Sequence, residues 1–251
     1  MALPRTAAGA LPGHFYAVGV GPGAADLVTL RAARLIRTAH VVIAPRSARS
    51  RDSLALDTVR DLLRPRQEIV EHRYAMTRDE AATVKSWDGV AERVAERCRE
   101  RRAVVQITIG DPLLYSTSAY LLPAVASRLG PDRVHVVPGI SAMQAAAALF
   151  AEPLTLQEDR LTLMPATDLA AVARALRQCE TLVLYKCAGV LEPLADLLEK
   201  RGLTASARLV CYAEQAGRQA VYTDLRAALR TSQGYMATLI VRTGRRKWRT
   251  S

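Results

Sequence analysis

The sequence predicts an α/β protein made of two α/β domains, the first on a mostly parallel sheet and the second on a mixed sheet. Three observations carry that expectation. Short β-branched runs alternate with amphipathic helical stretches through all 251 residues. The early runs are apolar without alternation, the pattern of parallel strands covered by helices on both faces. The final runs are joined more tightly than a parallel crossover allows, so the second sheet should be mixed.

The elements follow in order. FYAVGV (15–20) reads as the first strand. Residues 26–37 place Leu27, Leu30, Ala33 and Leu35 between arginines, which predicts a helix. HVVIA (40–44) is the second strand, with Pro45 expected to stop it. A helix over 52–63 and the short strand EIVE (68–71) come next, then a long helix over 79–101 with Glu and Arg on its outer face. AVVQITI (103–109) reads as a buried strand, 115–129 as a helix ended by Gly130, RVHVV (133–137) as a strand, and 141–149 as a helix capped by Ser141.

In the second half, LTLMPA (161–166), ETLVLYK (180–186) and ARLVCYA (207–213) are strands separated by helices at 168–177 and 190–200. RQAVYT (218–223), a helix running to Arg230 and the strand YMATLIVR (235–242) complete the pattern. The polar, proline-containing stretch FAEPLTLQEDR (150–160) is the expected domain boundary. The division is then a short disordered leader at 1–13, too poor in apolar residues for a signal peptide, domains at 14–150 and 151–243, and a basic tail at 244–251.

Composition narrows the function classes. No apolar run approaches the roughly 20 residues of a membrane-spanning helix, so no membrane partner is expected. Cys98, Cys179, Cys187 and Cys211 are widely spaced and lack a C-x-x-C motif. That spacing suits buried free thiols in the cytoplasm rather than disulfides or zinc. His14, His40, His72 and His135 are scattered, and no metal site is expected. A net charge of +11 favours an anionic partner: nucleic acid, phosphates or a polycarboxylate. With two Phe and two Trp, the chain is poor in stacking platforms for single strands, and nucleic acid is not the expected partner. Arginine dispersed over helix surfaces accounts for much of the same charge.

Three glycine-containing turns follow predicted strands and precede helices: GVGPGAAD (19–26), GDPLLYST (110–117) and PGISA (138–142). Ligands of open α/β sheets collect at the carboxyl ends of strands. One such turn is ordinary turn chemistry; three on one edge point to a ligand. Gly19 to Ala24 also satisfies the dinucleotide pattern G-x-G-x-x-G/A. However, no acidic residue stands between Leu27 and Arg51 to hold the ribose of NAD, and Pro22 offers no N–H to a phosphate. An NADP site using Arg46 stays open on these residues alone. Asp111 either caps the next turn or shapes the ligand loop by holding backbone N–H groups.

Taken together, VGVGPGAADLVTLRAARLI, GDPLLYST and VPGISAMQAAAA resemble, in that order, the motifs of the tetrapyrrole (corrin/porphyrin) methylase family, and the resemblance spans nearly the whole chain. YAMTRDEAATVKSW (74–87), TIGDPLLYSTSAYLL and LMPAT (163–167) are most similar to the branch that methylates precorrin-2 at C-20 in cobalamin biosynthesis. The resemblance implies S-adenosyl-L-methionine as cofactor, folded into the cleft between the two domains, a polycarboxylate tetrapyrrole as substrate, and a homodimer. By position it implies cofactor contacts at Gly21, Pro22, Gly23, Gly110, Asp111, Leu114, Ser141, Ala142, Tyr185, Ala213 and Thr238. The stretches LYKCAG and CYAEQAGRQ depart from the family's usual pattern. Methyl transfer to a ring carbon leaves a proton to be lost; Tyr115, Ser116 and Glu214 are the candidates near the implied site for that step or for placing the substrate. Arg46, Arg73 and Arg78 are candidates for the substrate's carboxylates, since guanidinium pairs with carboxylate bidentately. Another corrin-ring methylase or a non-cobalamin relative is the alternative within the family; outside it stand the NADP oxidoreductase and a basic nucleic-acid-binding protein.

Overall fold

Two β-sheets, each with helices on both faces, organise the chain, which divides into the units Met1–Ser141 and Ala142–Ser251. The computed structural model describes residues 9–46, 53–73, 80–231 and 236–244. The first unit runs β1 (Phe15–Gly19), α1 (Leu30–Thr38), β2 (Val41–Arg46), α2 (Leu54–Thr58), β3 (Glu68–Arg73), α3 (Glu80–Arg99), β4 (Val104–Thr108), α4 (Ser118–Leu129) and β5 (Val134–Val137). Its strands are all parallel, in the order β3-β2-β4-β1-β5. Both faces are buried, as the non-alternating sequence requires. Phe15, Ala17, Val41, Ile43 and Val104 pack on α3 and α4 through Trp87, Val94, Leu121 and Val125. Tyr16, Val18, Val42, Val105 and Ile107 pack on α1 and α2 through Ala32, Leu35, Ile36 and Ala55.

The second unit runs α5 (Ala142–Leu149), β6 (Leu161–Pro165), α6 (Leu169–Ala175), β7 (Thr181–Tyr185), α7 (Leu191–Lys200), β8 (Ala207–Cys211), β9 (Ala220–Tyr222), α8 (Leu225–Leu229) and β10 (Ala237–Arg242). Its sheet, ordered β6-β7-β10-β8-β9, is mixed: β6 and β7 are parallel, and the remaining pairs are antiparallel. Leu182, Leu184, Leu209 and Leu239 face α6, α7 and α8, while Val183, Val210 and Ile240 face Ala145, Ala146 and Ala147 of α5.

Several sequence expectations shift, each for a local reason. The boundary expected at 150 gives α5 to the first domain, but its alanine face belongs to the second sheet. The stretch after α5 is tied there as well: Glu152 accepts from Arg208, 3.2 Å, and from Arg242. Pro45 does not stop β2. The ladder to β4 ends at Ile43, so the missing N–H of Pro45 falls where only β3 is a neighbour. The helix expected from residue 26 begins at Leu30, because Thr29 is extended and its hydroxyl caps the N–H of Ala32. Within the expected leader, residues 1–8 lie outside the described ones, yet Gly13 N donates to Arg102 O, 3.0 Å, and Ala10 N to Thr38 Oγ1, 2.8 Å. In the expected tail, residues 245–251 lie outside the described ones.

All four cysteines are free and buried. Burial pushes the Cys98 thiol up to about 11 and the Cys187 thiol up to about 12. At the amino end of β1, His14 Nδ1 and His135 Nε2 share a hydrogen bond of 2.9 Å, and Tyr16 stacks on His135. Burial lowers both imidazoles; Arg133 adds to the effect at His14, and His14 adds to it at His135.

Candidate functional site

In the first unit the three glycine turns follow β1, β4 and β5, which are consecutive neighbours at the sheet's carboxyl edge. This is the place where the strand order reverses, since the chain leaves β1 toward β2 on one side and later adds β5 on the other. The turns are packed backbone against backbone. A Cβ on Gly19 would stand 2.7 Å from Gly139 N and 2.8 Å from Gly139 Cα, and closer still to Gly110 O. Gly110 N donates to Gly21 O, 2.7 Å, and Val20 N to Thr108 O, 2.9 Å. Gly21 and Gly110 reach this pairing with φ of 77° and 72°, backbone that side chains rarely adopt. Among the described residues, a Cβ at Gly110 would meet nothing within 4 Å. Pro22 is buried, and the Thr58 hydroxyl of α2 donates to Gly23 O, 3.3 Å.

Asp111 ties the second turn to the third. Its Oδ1 accepts from Leu113 N, 2.8 Å, and its Oδ2 from Gly139 N, 3.1 Å. The carboxylate therefore shapes the loop through backbone N–H groups. Leu114 N donates to Asp111 O, 3.4 Å, closing the turn. Tyr115 then takes φ 51° and is 50% exposed. That left-handed residue explains why α4 starts at Ser118 rather than at 115. The Ser116 hydroxyl is engaged with Thr108 Oγ1, 3.2 Å, and with Ser118 N, 3.1 Å. Ser141, at the end of the third turn, is buried.

In the second unit, the carboxyl ends of β7 and β8 flank the start of β10. Tyr185 and Val210 are both in register with Thr238, and Cys211 is in register with Ala237. Tyr185, Thr238 and Ala213 thus lie along one sheet edge. Ala142 joins them through its neighbour: Met143 N donates to the Tyr185 hydroxyl, 3.0 Å. The strands read from the sequence as 180–186 and 207–213 end earlier because Lys186 and Tyr212 turn left-handed, with φ of 56° and 50°. Glu214 has φ 60° and lies in the β8–β9 loop.

The arginine candidates are more dispersed. Arg46 and Arg73 are in register at the carboxyl ends of β2 and β3. Arg46 Nε lies 3.9 Å from Glu71 Oε2, which already offsets part of its charge. Arg73 is described by its backbone alone, and Arg78 lies outside the described residues. Motif reading does not single out Thr108, whose hydroxyl holds Ser116, or Gly139 as a packing position. Thr108 is the polar last residue of β4 before its glycine turn, and Gly139 is the glycine of the third turn itself; those positions are the signals that could have marked them.

The family model "Tetrapyrrole (Corrin/Porphyrin) Methylases" matches residues 14–229. The chain is similar to a cobalt-precorrin-2 C(20)-methyltransferase of Salmonella typhimurium, 34% identical over 208 residues that cover 82% of this chain and 86% of the relative. Among solved structures it resembles a cobalt precorrin-4 methyltransferase, with a TM-score of 0.67, 21% identity, and coverage of 91% of this chain and 94% of the other. It also resembles a uroporphyrin-III C-methyltransferase of Thermus thermophilus complexed with S-adenosylhomocysteine, with a TM-score of 0.64, 22% identity, and coverage of 91% and 96%.

Proposed function

The chain belongs to the tetrapyrrole (corrin/porphyrin) methylase family, and on that premise we propose that it is an S-adenosyl-L-methionine-dependent C-methyltransferase acting at C-20 of precorrin-2 or cobalt-precorrin-2 in cobalamin biosynthesis. The observation that carries the reading is the similarity, over most of both chains, to the cobalt-precorrin-2 C(20)-methyltransferase. The solved relative with S-adenosylhomocysteine supports the choice of cofactor.

The residues at hand suit such a group. The open backbone at Gly110 and the apolar wall of Pro22 can receive a ligand with no pyrophosphate to hold. In the first unit, contacts are proposed at Gly21, Pro22, Gly23, Gly110, Leu114 and Ser141, with Asp111 fixing the loop that carries them. In the second unit they are proposed at Ala142, Tyr185, Ala213 and Thr238. S-adenosyl-L-methionine supplies, when bound, a methyl group already activated on a sulfonium centre. What remains for the chain is alignment of the nucleophilic ring carbon and exclusion of water. Tyr115, Ser116 and Glu214 remain the proposed candidates for the departing proton or for placing the substrate; the Ser116 hydroxyl also holds Thr108 and Ser118. A cytoplasmic homodimer completes the proposal; four free, buried thiols suit a reducing compartment, and light scattering tests the assembly.

Incubation with S-adenosyl-L-methionine and either precorrin-2 or cobalt-precorrin-2, followed by NMR of the product, is expected to show one new methyl group at C-20. Methylation at another carbon would assign a different ring position. Tight calorimetric binding of NADPH with no binding of S-adenosylhomocysteine would overturn the reading in favour of an oxidoreductase.

A further inference from the structure

The loop joining β8 to β9, residues 212–219, is ordered beyond what a connection between antiparallel neighbours requires. Tyr212 N donates to Met236 O, 2.8 Å, and Gln215 N to Tyr212 O, 3.1 Å. Arg218 N and Gln219 N both donate to Gln215 O, 3.1 and 3.0 Å, and Gln219 Oε1 accepts from Glu214 N, 2.7 Å. Gln215 is 5% exposed and anchors the loop from within. Tyr212 and Glu214 both hold left-handed backbone, a conformation that non-glycine residues keep only where the surroundings enforce it.

This frame presents one cation. The Arg218 guanidinium lies over the Tyr212 ring, 4.0 Å from its centroid, while its side chain remains exposed. Among the described residues Arg160, Arg208, Arg226 and Arg242 each pair with a carboxylate, but Arg218 does not. Stacking occupies one face of the guanidinium and leaves its in-plane N–H donors free. Those donors form the fork that matches a carboxylate bidentately. Because the ring and the loop already fix the side chain, little rotamer freedom remains to be lost on binding.

We propose that Arg218 is a substrate-binding residue that holds a peripheral carboxylate of the tetrapyrrole, presented by the braced β8–β9 loop. The proposal rests on the methyltransferase reading above. It adds a substrate contact in the stretch CYAEQAGRQ, where the sequence departs from the family's usual pattern.

The test is steady-state methylation of precorrin-2 by the full chain and by R218Q, R218K and Y212L, with S-adenosylhomocysteine affinity and melting temperature measured in parallel. R218Q is expected to raise KM for precorrin-2 about 10- to 100-fold, the range of a lost charge-assisted hydrogen-bonded pair, with kcat within about twofold. R218K, which keeps the charge without the fork, should recover part of that loss. Y212L, which removes the platform, should raise KM about 2- to 5-fold. S-adenosylhomocysteine affinity and melting temperature should be unchanged in R218Q and R218K. An unchanged KM in R218Q overturns the proposal. So does a joint fall in melting temperature and cofactor affinity that accounts for the loss, since that marks Arg218 as a packing residue. Failure of the unmodified chain to methylate any tetrapyrrole overturns the underlying reading too, and is seen without a variant.

Discussion

Gly139→Ala tests the first-unit site most directly, because it adds one methyl group where three strand ends meet. Gly139 has ordinary backbone that alanine adopts freely, so the effect is steric alone. The new Cβ would stand 2.9 Å from both Gly19 C and Gly19 Cα, and closer still to Gly110 O. Real Cβ atoms essentially never come within 3.0 Å, and every obstructing atom is backbone. No side chain can swing away; the β1, β4 and β5 turns must separate, stretching the bond from Gly139 N to Asp111 and the pairing of Gly110 with Gly21. Overpacking costs typically about 1–3 kcal/mol, and a backbone-only clash belongs at the upper end, about 3 kcal/mol. For a chain of this size that lowers the melting temperature by about 6–12 °C. Gly89→Ala in α3 is the matched control. Among the described residues its Cβ would meet nothing within 4 Å, and alanine for glycine in a helix interior should stabilise by about 0.5–1 kcal/mol. Thermal unfolding and calorimetry with S-adenosylhomocysteine read the result. G139A should melt lower and bind the ligand at least about tenfold more weakly, the result of a shift of roughly 1.4 kcal/mol or more. A G139A protein that melts and binds like the unmodified chain would refute the close packing of the turns.

Other outcomes follow from the same geometry. Asp111→Asn leaves one amide oxygen for two backbone N–H groups, so one loses its acceptor; a loss of about 1–3 kcal/mol is expected in urea unfolding, with weaker S-adenosylhomocysteine binding. Tyr185→Phe strips the acceptor from Met143 N at the start of α5 and should cost about 1 kcal/mol in urea unfolding, with S-adenosylhomocysteine affinity falling in calorimetry. Stability should fall as pH drops below 6.5, because burial holds His14 and His135 below that ordinary value and the unfolded chain takes up protons the folded chain resists. Burial pushes Glu68 up, but Arg102 and Arg97 outweigh it and hold the carboxylate below 4.5, so its contribution is lost in a separate, more acidic window. Urea titrations of the unmodified chain and H135N separate the two: a step between pH 7 and 5.5 that survives unchanged in H135N would remove the histidine pair as its cause.

Much of the first unit was legible in sequence because its signals are local. Non-alternating strands identified a sheet buried on both faces, and three glycine turns identified the carboxyl edge where their backbones pack together. Strand order was not legible. That the turns come from consecutive strands β4-β1-β5 depends on where β4 inserts, a long-range pairing that no short motif encodes. Element ends were misjudged where one residue turns left-handed. Tyr115, Lys186 and Tyr212 carry side chains that continue a helix or strand pattern, while their backbone leaves it. The boundary expected at 150 and the contact division after Ser141 differ for a similar reason: the alanines of α5 name no partner in sequence, whereas in the fold they pack with Val183, Val210 and Ile240, and Glu152 pairs with Arg208 and Arg242. Arg218 was hidden because its meaning lies in the ring beneath it, six residues earlier in a loop.

The two sheet edges meet a common demand by different means. At the first, Gly21 and Gly110 take up the left-handed backbone, and Gly19 and Gly139 permit contact between neighbouring turns. A backbone surface is made there, and side chains would obstruct it. At the second, Gly217 is left-handed in the β8–β9 loop, but so are Lys186, Tyr212 and Glu214 at the strand ends and in that loop, where glycine or asparagine would relieve strain. Tyr115 repeats that choice after β4, one residue beyond the turn closed by Asp111. Such strain is retained where a particular side chain is needed at a particular point, and it clusters at functional loops. Tyr212 shows what it secures here, since its ring carries Arg218. Tyr115 and Glu214 hold the same strained backbone, and that is the observation behind proposing them as groups that meet the substrate.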